Sequence, residues 1–432
     1  MPRVVFLVDM NAFFISCEML RHPELRGIPA AVAGDPAQRT GIILAANYDA
    51  RAFGVKTAMP LHQALKLCPG LATVAPDHRY YEDKSGEVMS LLARYSPVVE
   101  QNSIDEAWLD MTGSDGLFGS PRQCAERIMT DLRENLGLWC SIGIASNKFL
   151  AKMASDMKKP LGITEIGPED IAGKLWPLPV RAMYGVGGKT AERLRGIGVE
   201  TIGDLARLEP DLVHRLFGKA GHELHAHANG LDDAPVQPHQ SDEMKQIGRS
   251  VTLPRDIGDL EQARRVLLRL SDEIGRSARS HGKKGRTVQI TLKYADFTVA
   301  NRQGPVPETW TTQVIYETAC GLLERNWDPA KPVRLIGIAL SGLDGEEKEE
   351  PHQLSLLDAM PLAGEASKSA KAFDRSDEKK NERLDVAMDR IRLRLGSDAV
   401  GRASLLRRPV KASPEDAESG TRRPHMPGGN RE

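Results

Sequence analysis

Apolar residues in the first part of the chain occur as short unbroken runs separated by segments with helical spacing. Residues 3–10 (RVVFLVDM) form an apolar, β-branched run that predicts a buried strand in the centre of a sheet, with Asp9 at its end. Runs punctuated by Gly and Pro over residues 19–75 predict a small insertion that includes a helix at PLHQALKLC. A helix over 78–95, a strand or hairpin over 97–111, a helix near 120–136 and a strand over 139–146 follow. Strands interleaved with helices predict an α+β sheet domain.

The second half of the chain changes pattern twice. Residues 166–232 have helical spacing with short glycine-containing loops, and a Pro- and Gln-containing stretch at 233–243 reads as a linker. Residues 244–345 then combine strand-like runs with a helix over 259–280, which predicts a second, smaller α/β unit.

The last part of the chain is charged and rich in Ala, Ser and Pro. This composition predicts that most of residues 346–432 is disordered. Residues 381–396 are the exception, because Leu384, Met388, Ile391 and Leu395 recur at helical spacing and predict a short amphipathic helix.

Length and composition exclude several classes of protein. A chain of 432 residues is long enough for several domains. No run approaches the roughly 18 uncharged apolar residues of a membrane helix, and the N-terminus lacks signal-peptide features, so we expect a cytoplasmic protein. The five scattered cysteines argue against a disulfide framework or a zinc site. The net charge of -1 does not exclude a nucleic-acid partner, because the local distribution of charge matters more than its sum.

Two adjacent carboxylates, Asp105 and Glu106, interrupt the strand-like segment SIDEAWLD. Solvated acids at a turn are one interpretation. On a regular strand, however, neighbouring side chains point to opposite faces, so one of the two would be buried without a partner. If Asp9 lies on a neighbouring strand, the three carboxylates would repel one another unless divalent cations lay between them. Two Mg²⁺ ions in such a site serve displacement at phosphorus. Both acids can face one site only if the backbone bends there.

Basic and aromatic residues suited to a phosphate-rich substrate occur nearby. Tyr48 and Arg51 are three residues apart and therefore on one side of a helical turn, while Lys152 and Lys159 follow in NKFLAKMASDMKKPLGI. Each of these residues alone is compatible with a solvated surface position. Their occurrence together with the acids favours a nucleotide site.

Four segments together identify a family resemblance. VDMNAFFISCE, ANYDARAFGVKTAMP, SIDEAWLD and the lysine-rich segment resemble, in order, the signature motifs of Y-family DNA polymerases. The resemblance spans residues 4–345 and implies a right-hand fold. Its parts would be a palm at 1–18 and 76–165, small fingers at 19–75, a helical thumb with a helix-hairpin-helix at 166–232, and a C-terminal little finger at 244–345.

The resemblance also implies roles for individual residues. Asp9, Asp105 and Glu106, with the carbonyl of Met10, would hold two Mg²⁺ ions. Phe13, Tyr48, Arg51 and Lys159 would contact the incoming nucleotide. Phe14 corresponds to the steric gate that excludes a 2'-hydroxyl, although a core aromatic residue is the alternative. The chain departs from the usual family pattern at Asn11, where many relatives have an acid, and at Ala45, where Thr is frequent.

Two further regions resemble the DNA-holding parts of the family. Gly185 and Gly187 resemble a helix-hairpin-helix that presents backbone N–H groups to phosphate, although a plain helix–helix turn fits the same pattern. Bases without acids between residues 274 and 295, together with Arg249, resemble the phosphate-binding strands of the little finger. These bases are Arg276, Arg279, Lys283, Lys284, Arg286 and Lys293.

The pentapeptide QLSLL at residues 353–357 is either a chance apolar cluster or a docking peptide. It resembles the sliding-clamp motif of bacterial polymerases at Gln353, Leu354 and Leu356, with Leu357 where Phe is usual.

The function expected from all of this is template-directed, error-prone DNA synthesis past lesions, without proofreading and with low processivity. Primer–template DNA, deoxynucleoside triphosphates and the clamp are the expected partners of a monomer. A non-catalytic scaffold would not need the acids, and a nucleotidyl cyclase would not need the DNA-holding regions.

Overall fold

The computed structural model describes residues 3–39, 41–238, 244–343, 375–396 and 399–402. The chain divides into two compact units, Met1–Ser241 and Asp242–Glu432. The strands of the described residues are, in chain order, β1 Val5–Met10, β2 Ala30–Ala33, β3 Ile43–Ala46, β4 Ala72–Val74, β5 Val99–Gln101, β6 Glu106–Asp110, β7 Cys140–Ala145, β8 Ile163–Ile166, β9 Gln246–Ile257, β10 Gly285–Tyr294, β11 Val299–Thr309 and β12 Val333–Ser341.

Fourteen α-helices lie in the described residues: α1 Phe13–Arg21, α2 Tyr48–Ala52, α3 Leu61–Leu67, α4 His78–Leu92, α5 Asp115–Phe118, α6 Pro121–Asp131, α7 Lys148–Met157, α8 Gly188–Arg195, α9 Ile202–Ala206, α10 Pro210–Phe217, α11 Lys219–Ala228, α12 Leu260–Ser280, α13 Thr312–Asn326 and α14 Arg375–Leu395. None of the helices that the structure describes combines the length and the apolar character needed to cross a membrane.

A five-stranded sheet of order β5-β6-β1-β7-β8 forms the centre of the first unit. Every residue of β1 is buried, as expected for a central strand covered on both faces. Phe6 and Val8 pack towards α1, α4 and α6, while Val5 and Leu7 pack towards α7 and the helices that follow β8. The position of β1 places Asp9 at the end of a rigid strand.

The insertion between β1 and α4 forms a small sheet of order β3-β2-β4, in which β2 pairs antiparallel with β3 and parallel with β4. Its helix α2 carries Tyr48 and Arg51. The Asn47 side chain fixes the start of this helix, because it accepts from the N–H groups of Ala50 and Ala30 and donates to the carbonyl of Ile28.

Helices α8 to α11 occupy most of the predicted thumb, residues 166–232. Their apolar side chains, including Leu194, Leu205 and Val213, share one core with α7. Residues 233–238 of the predicted linker have no regular structure, and residues 239–243 lie outside the described part.

The second unit contains an antiparallel sheet of order β11-β10-β12-β9. Along β10, Val288, Ile290 and Leu292 are buried and alternate with less buried polar residues, so one face of the sheet packs on α12 and α13. The edge strand β11 contains Pro305 and Pro307, which is compatible with an edge because proline cannot donate to a ladder.

Helix α14 covers most of the predicted amphipathic segment 381–396 and packs on α12 and α13. The carboxylate of Asp385, 2 % exposed, accepts from the N–H of Thr312 at 2.9 Å. Thr312 is the first residue of α13, whose own N-cap, Thr311, makes no side-chain capping bond. The Asp385 carboxylate therefore caps α13 from α14, and its negative charge interacts favourably with the positive N-terminal end of the α13 dipole.

Buried ion pairs complete this contact. Arg279 of α12 lies 3.2 Å from Asp385 and 2.6 Å from Asp389, Arg392 lies 2.8 Å from Asp272, and Arg402 pairs with both Asp385 and Asp272. Arg279, which belongs to the run of bases expected to be open to DNA, is thus occupied by acids of α14. The remaining predicted tail, including the clamp-like residues 353–357, lies outside the described residues.

Asp385→Ala should lower the free energy of unfolding of the second unit by about 3 kcal/mol, because it removes the cap of α13 and one buried carboxylate partner each of Arg279 and Arg402. Denaturant unfolding of the full chain measures this change. Arg383→Ala on the exposed side of the same helix is the matched control and should change stability by less than about 0.5 kcal/mol. Equal effects of the two substitutions would contradict the assigned role of Asp385.

Candidate active site

Sheet register places two of the three predicted acids side by side. Asp9 on β1 pairs directly with Glu106, the first residue of β6. Asp105 lies just before that strand, in a bend over residues 103–105, and its carbonyl accepts from the N–H of Met10 at 2.9 Å. The bend is the departure from regular strand geometry that allows adjacent acids to serve one site.

One cavity of about 240 Å³ brings the acids together with the predicted nucleotide contacts. Residues from the five-stranded sheet, α1 and the β3–α2 segment form its wall. The lining residues are Asp9, Met10, Asn11, Ala12, Phe13, Phe14, Leu44, Ala45, Tyr48, Arg51, Thr57, Asp105, Glu106 and Lys159.

Two lysines neutralise the acids from α7 and the loop after it. Lys152 Nζ lies 2.6 Å from Glu106 Oε1 and 3.2 Å from Asp9 Oδ2, and Lys159 Nζ lies 2.6 Å from Asp9 Oδ2. Gly143 on β7 allows this approach, since a Cβ there would collide with the Ala151 carbonyl of α7. Asp156 also contacts both lysines, at 3.3 Å and 2.7 Å.

The burial of these charges shifts their ionisation. Burial, with a smaller contribution from the bond to Glu106, raises the pKa of the Asp9 carboxyl. Burial also disfavours ionised Glu106, but the hydrogen bonds of Asp9 and Lys152 outweigh it and lower the pKa of Glu106. Burial likewise disfavours charged Lys152, yet the carboxylates of Asp9 and Glu106 raise its pKa. The ammonium groups of Lys152 and Lys159 therefore offset the negative charge of Asp9 and Glu106 in this cavity.

The donor set fits divalent metal ions. Carboxylates of Asp9, Asp105 and Glu106 all line one cavity, and such hard oxygen donors suit Mg²⁺. Within the described ranges, no three Asp, Glu, His or Cys side chains are already arranged as a metal cage.

The opposite wall carries groups suited to phosphates. The Tyr48 hydroxyl is buried and has no hydrogen-bond partner among the residues that the structure describes, and burial raises the pKa of Tyr48. The Arg51 guanidinium lies 4.9 Å from the Tyr48 ring and uses its Nε to donate to the Ala46 carbonyl at 2.9 Å. A buried hydroxyl without a partner is costly, so a ligand oxygen at this position would be favourable.

Phe14 forms a rigid aromatic wall of the cavity. Its ring stacks on Tyr81 with centroids 4.4 Å apart and planes 14° apart, and the Tyr81 hydroxyl donates to Glu18 at 2.7 Å. The adjacent Phe13 is buried and packs in the core under the sheet. Phe14 is therefore both partly packed and exposed to the cavity.

Three family models match the chain in order. The impB/mucB/samB family model matches residues 8–156, the IMS family HHH motif matches residues 168–199, and the impB/mucB/samB family C-terminal domain matches residues 244–356. The chain is 55 % identical over 409 residues to DNA polymerase IV of Alkaliphilus oremlandii, covering 94 % of this chain and 100 % of the relative. It is 50 % identical over 408 residues to DNA polymerase IV of Clostridium kluyveri, covering 94 % and 99 %.

The chain belongs to the Y-family DNA polymerases, in the DNA polymerase IV branch. The fold agrees with this assignment, because the structure titled Y-family DNA polymerase chimera Dbh-Dpo4(243-245)-Dbh matches with a TM-score of 0.71 at 26 % identity. That match covers 79 % of this chain and 100 % of the chimera. The predicted family and the predicted right-hand fold are confirmed, and the chain is a member of a family of metal-dependent, DNA-directed DNA polymerases.

The matched helix-hairpin-helix motif includes α8, and its glycine-containing turn directly precedes that helix. Gly185 has φ +87°, a conformation that a residue with a Cβ would adopt only under strain, and Gly187 directly precedes the first residue of α8. A Cβ at either position would meet no heavy atom within 4 Å, so both glycines border open space. Binding of a phosphate by the backbone N–H groups of this turn remains a prediction.

Four of the bases predicted to bind DNA in the second unit differ in their surroundings. Arg249 lies on the edge strand β9, Arg286 lies 3.0 Å from Glu308, and Lys284 lies 4.7 Å from the Trp310 ring centroid. Lys283 follows the end of α12. Their contacts with DNA remain a prediction.

The sequence did not predict Lys152, Thr57 or Leu44 as site residues, although Lys152 lies in the lysine-rich segment that it placed near the nucleotide site. Lys152 could have been found from its spacing, because it follows Phe149 by three residues and so lies on the buried face of α7. Asn11 accepts from the N–H of Leu161 and donates to Ser141, so it holds the Lys159 loop against β7. Ala45 lines the cavity without offering a polar group.

Proposed function

We propose that this chain extends a primer 3' end by adding the deoxynucleotide that the template specifies, and that it does so in translesion synthesis. The observation that carries the proposal is the single cavity where three acids face a buried, unpartnered tyrosine hydroxyl and an arginine. This arrangement suits a magnesium nucleoside triphosphate, because one wall offers oxygen donors to the metal and the other wall offers donors to phosphate.

The carboxylates of Asp9, Asp105 and Glu106, together with the Met10 carbonyl, would hold two Mg²⁺ ions. When bound, the two ions activate the attacking hydroxyl and offset the charge on the leaving phosphates. Tyr48, Arg51 and Lys159 would bind and orient the triphosphate, and Phe14 would close the space beside C2' of the sugar.

Lys159 has a specific part in this account. It lies 2.6 Å from Asp9 and 2.7 Å from Asp156 without substrate, and it lines the same cavity as Tyr48 and Arg51. Lys159 thus offsets the negative charge of Asp9, and its ammonium group would donate to a phosphate oxygen of the triphosphate.

Primer extension on undamaged and lesion-containing templates tests the proposed function. We expect short products per binding event and an error frequency far above that of a proofreading replicase, because small fingers close loosely over the base pair. An error frequency equal to that of a proofreading replicase would contradict the translesion assignment.

We further infer that a sliding clamp binds residues 353–357 and raises processivity, with Leu357 in place of the usual Phe weakening the contact. A protein with Leu354→Ala and Leu357→Ala should lose the stimulation of extension by added clamp and keep its clamp-independent activity. Stimulation equal to wild type would remove this inference.

We also propose that the polymerase is a cytoplasmic monomer. Sedimentation tests the oligomeric state, and cell fractionation tests the location.

A further inference from the structure

A second and larger cavity, of about 750 Å³, lies in the second unit between α12, the edge strand β9 and the tail helix α14. Five arginines and two acids line it, with serines 277 and 280 of α12. The tail helix supplies one side of the cavity, so the cavity exists only while α14 is docked. Clefts lined mainly by one sign of charge concentrate ions of the opposite sign.

Two of the five arginines are already neutralised. Arg279 pairs with Asp385 and Asp389, and Arg392 lies 2.8 Å from Asp272. Of the two acids of the wall, Asp389 takes part in the Arg279 pair, whereas Glu273 makes only an exposed contact of 3.9 Å with Arg269. The fixed ion pairs therefore hold α14 in place without compensating the other three arginines.

The three remaining arginines come from three different elements. Arg249 is on β9, Arg276 on α12 and Arg390 on α14. In the part of the chain that the structure describes, none of the three lies within ion-pairing distance of a carboxylate, and Arg249 makes a long bond of 3.4 Å to the carbonyl of Gly248. Bringing three guanidinium groups to one cavity costs electrostatic free energy, which an anion in the cavity would recover.

We propose that this cavity binds a phosphate of the DNA backbone, and that the tail helix takes part in DNA binding through Arg390. The inference rests on the proposed function, since primer–template DNA is the polyanion that the enzyme must hold. Guanidinium groups bind phosphate through two parallel N–H donors, and contacts of this kind position a protein on DNA without reading its sequence.

Arg390→Ala in the full chain tests the proposal through binding, measured as fluorescence anisotropy of a labelled primer–template duplex without metal at several salt concentrations. Losing one phosphate contact should weaken binding up to about fivefold and reduce the slope of log affinity against log salt by about 0.9. Arg276→Ala should act in the same direction. Arg383→Ala, which removes an exposed arginine from another side of α14, is the matched control and should change neither quantity.

Thermal unfolding of each variant separates lost contacts from a lost fold. If the Arg390→Ala protein unfolds at the same temperature as wild type but binds DNA more weakly, the proposal is supported. Arg390→Ala that matches Arg383→Ala in affinity and in salt slope overturns it. If millimolar inorganic phosphate stabilises wild type but not Arg390→Ala while their DNA affinities agree, the cavity takes free phosphate, which also overturns the DNA assignment. Because binding is measured without metal, wild type that binds DNA but extends no primer would refute the proposed function and leave this inference standing.

Discussion

Asp105→Asn is expected to reduce the rate of nucleotide addition by about 10³-fold or more while leaving DNA affinity unchanged. Asp105 lies in the bend before β6, facing the same cavity as Asp9 and Glu106. The substitution keeps the size of the side chain and its contact with the Ser103 hydroxyl, which donates to Asp105 at 2.7 Å. Only the negative charge that holds metal is removed.

Single-turnover extension of a primed template measures this loss, with anisotropy of the same duplex as the binding measurement. The matched control is Asp110→Asn at the far end of β6, which changes an acid of the same strand outside the cavity. The control should keep the wild-type rate. A rate for Asp105→Asn within tenfold of wild type would mean that Asp105 is not a metal ligand.

Phe14→Ala is expected to improve ribonucleotide incorporation relative to deoxynucleotide incorporation by about 10²-fold. The Phe14 ring is held against Tyr81 by stacking, and Tyr81 is itself held by its bond to Glu18. A ring fixed from behind cannot move away from a 2'-hydroxyl, so its removal opens space that deoxynucleotides do not need.

The ratio of kcat/KM values for matched ribo- and deoxynucleotides measures the change. Phe53→Ala serves as the control, because Phe53 is an exposed aromatic residue of the same unit that does not line the cavity. If Phe14→Ala discriminates against ribonucleotides as strongly as wild type does, Phe14 acts as a packing residue and another group excludes the 2'-hydroxyl.

Local pattern indicated the strands at the centre of the candidate site, while the roles of its acids came from the family resemblance. An unbroken apolar run is typical of a central strand, and β1 is buried along its whole length with Asp9 near its end. Two adjacent acids in a strand-like run required a bend, and the bend lies at residues 103–105. The pairing of Asp9 with Glu106 depends on strand register, which a spacing of nearly one hundred residues does not reveal.

The features that local pattern did not predict all depend on contacts distant in sequence. The sequence predicted Arg279 as an exposed base, because its partners Asp385 and Asp389 are more than one hundred residues away in the chain. Lys152 belongs to the site only because Gly143 lets α7 approach β7 closely. The edge strand β11 contains prolines at 305 and 307, and because proline is rare in strands, residue propensities do not predict a strand there.

Primer extension by wild type on two templates that differ in a single base tests the central claim most directly. With Mg²⁺ and one nucleotide at a time, the account predicts addition of the complementary deoxynucleotide on each template, loss of addition when the metal is chelated, and loss of addition in Asp105→Asn. Folded protein that binds the duplex but adds no nucleotide to either template would contradict the account and favour a non-catalytic scaffold.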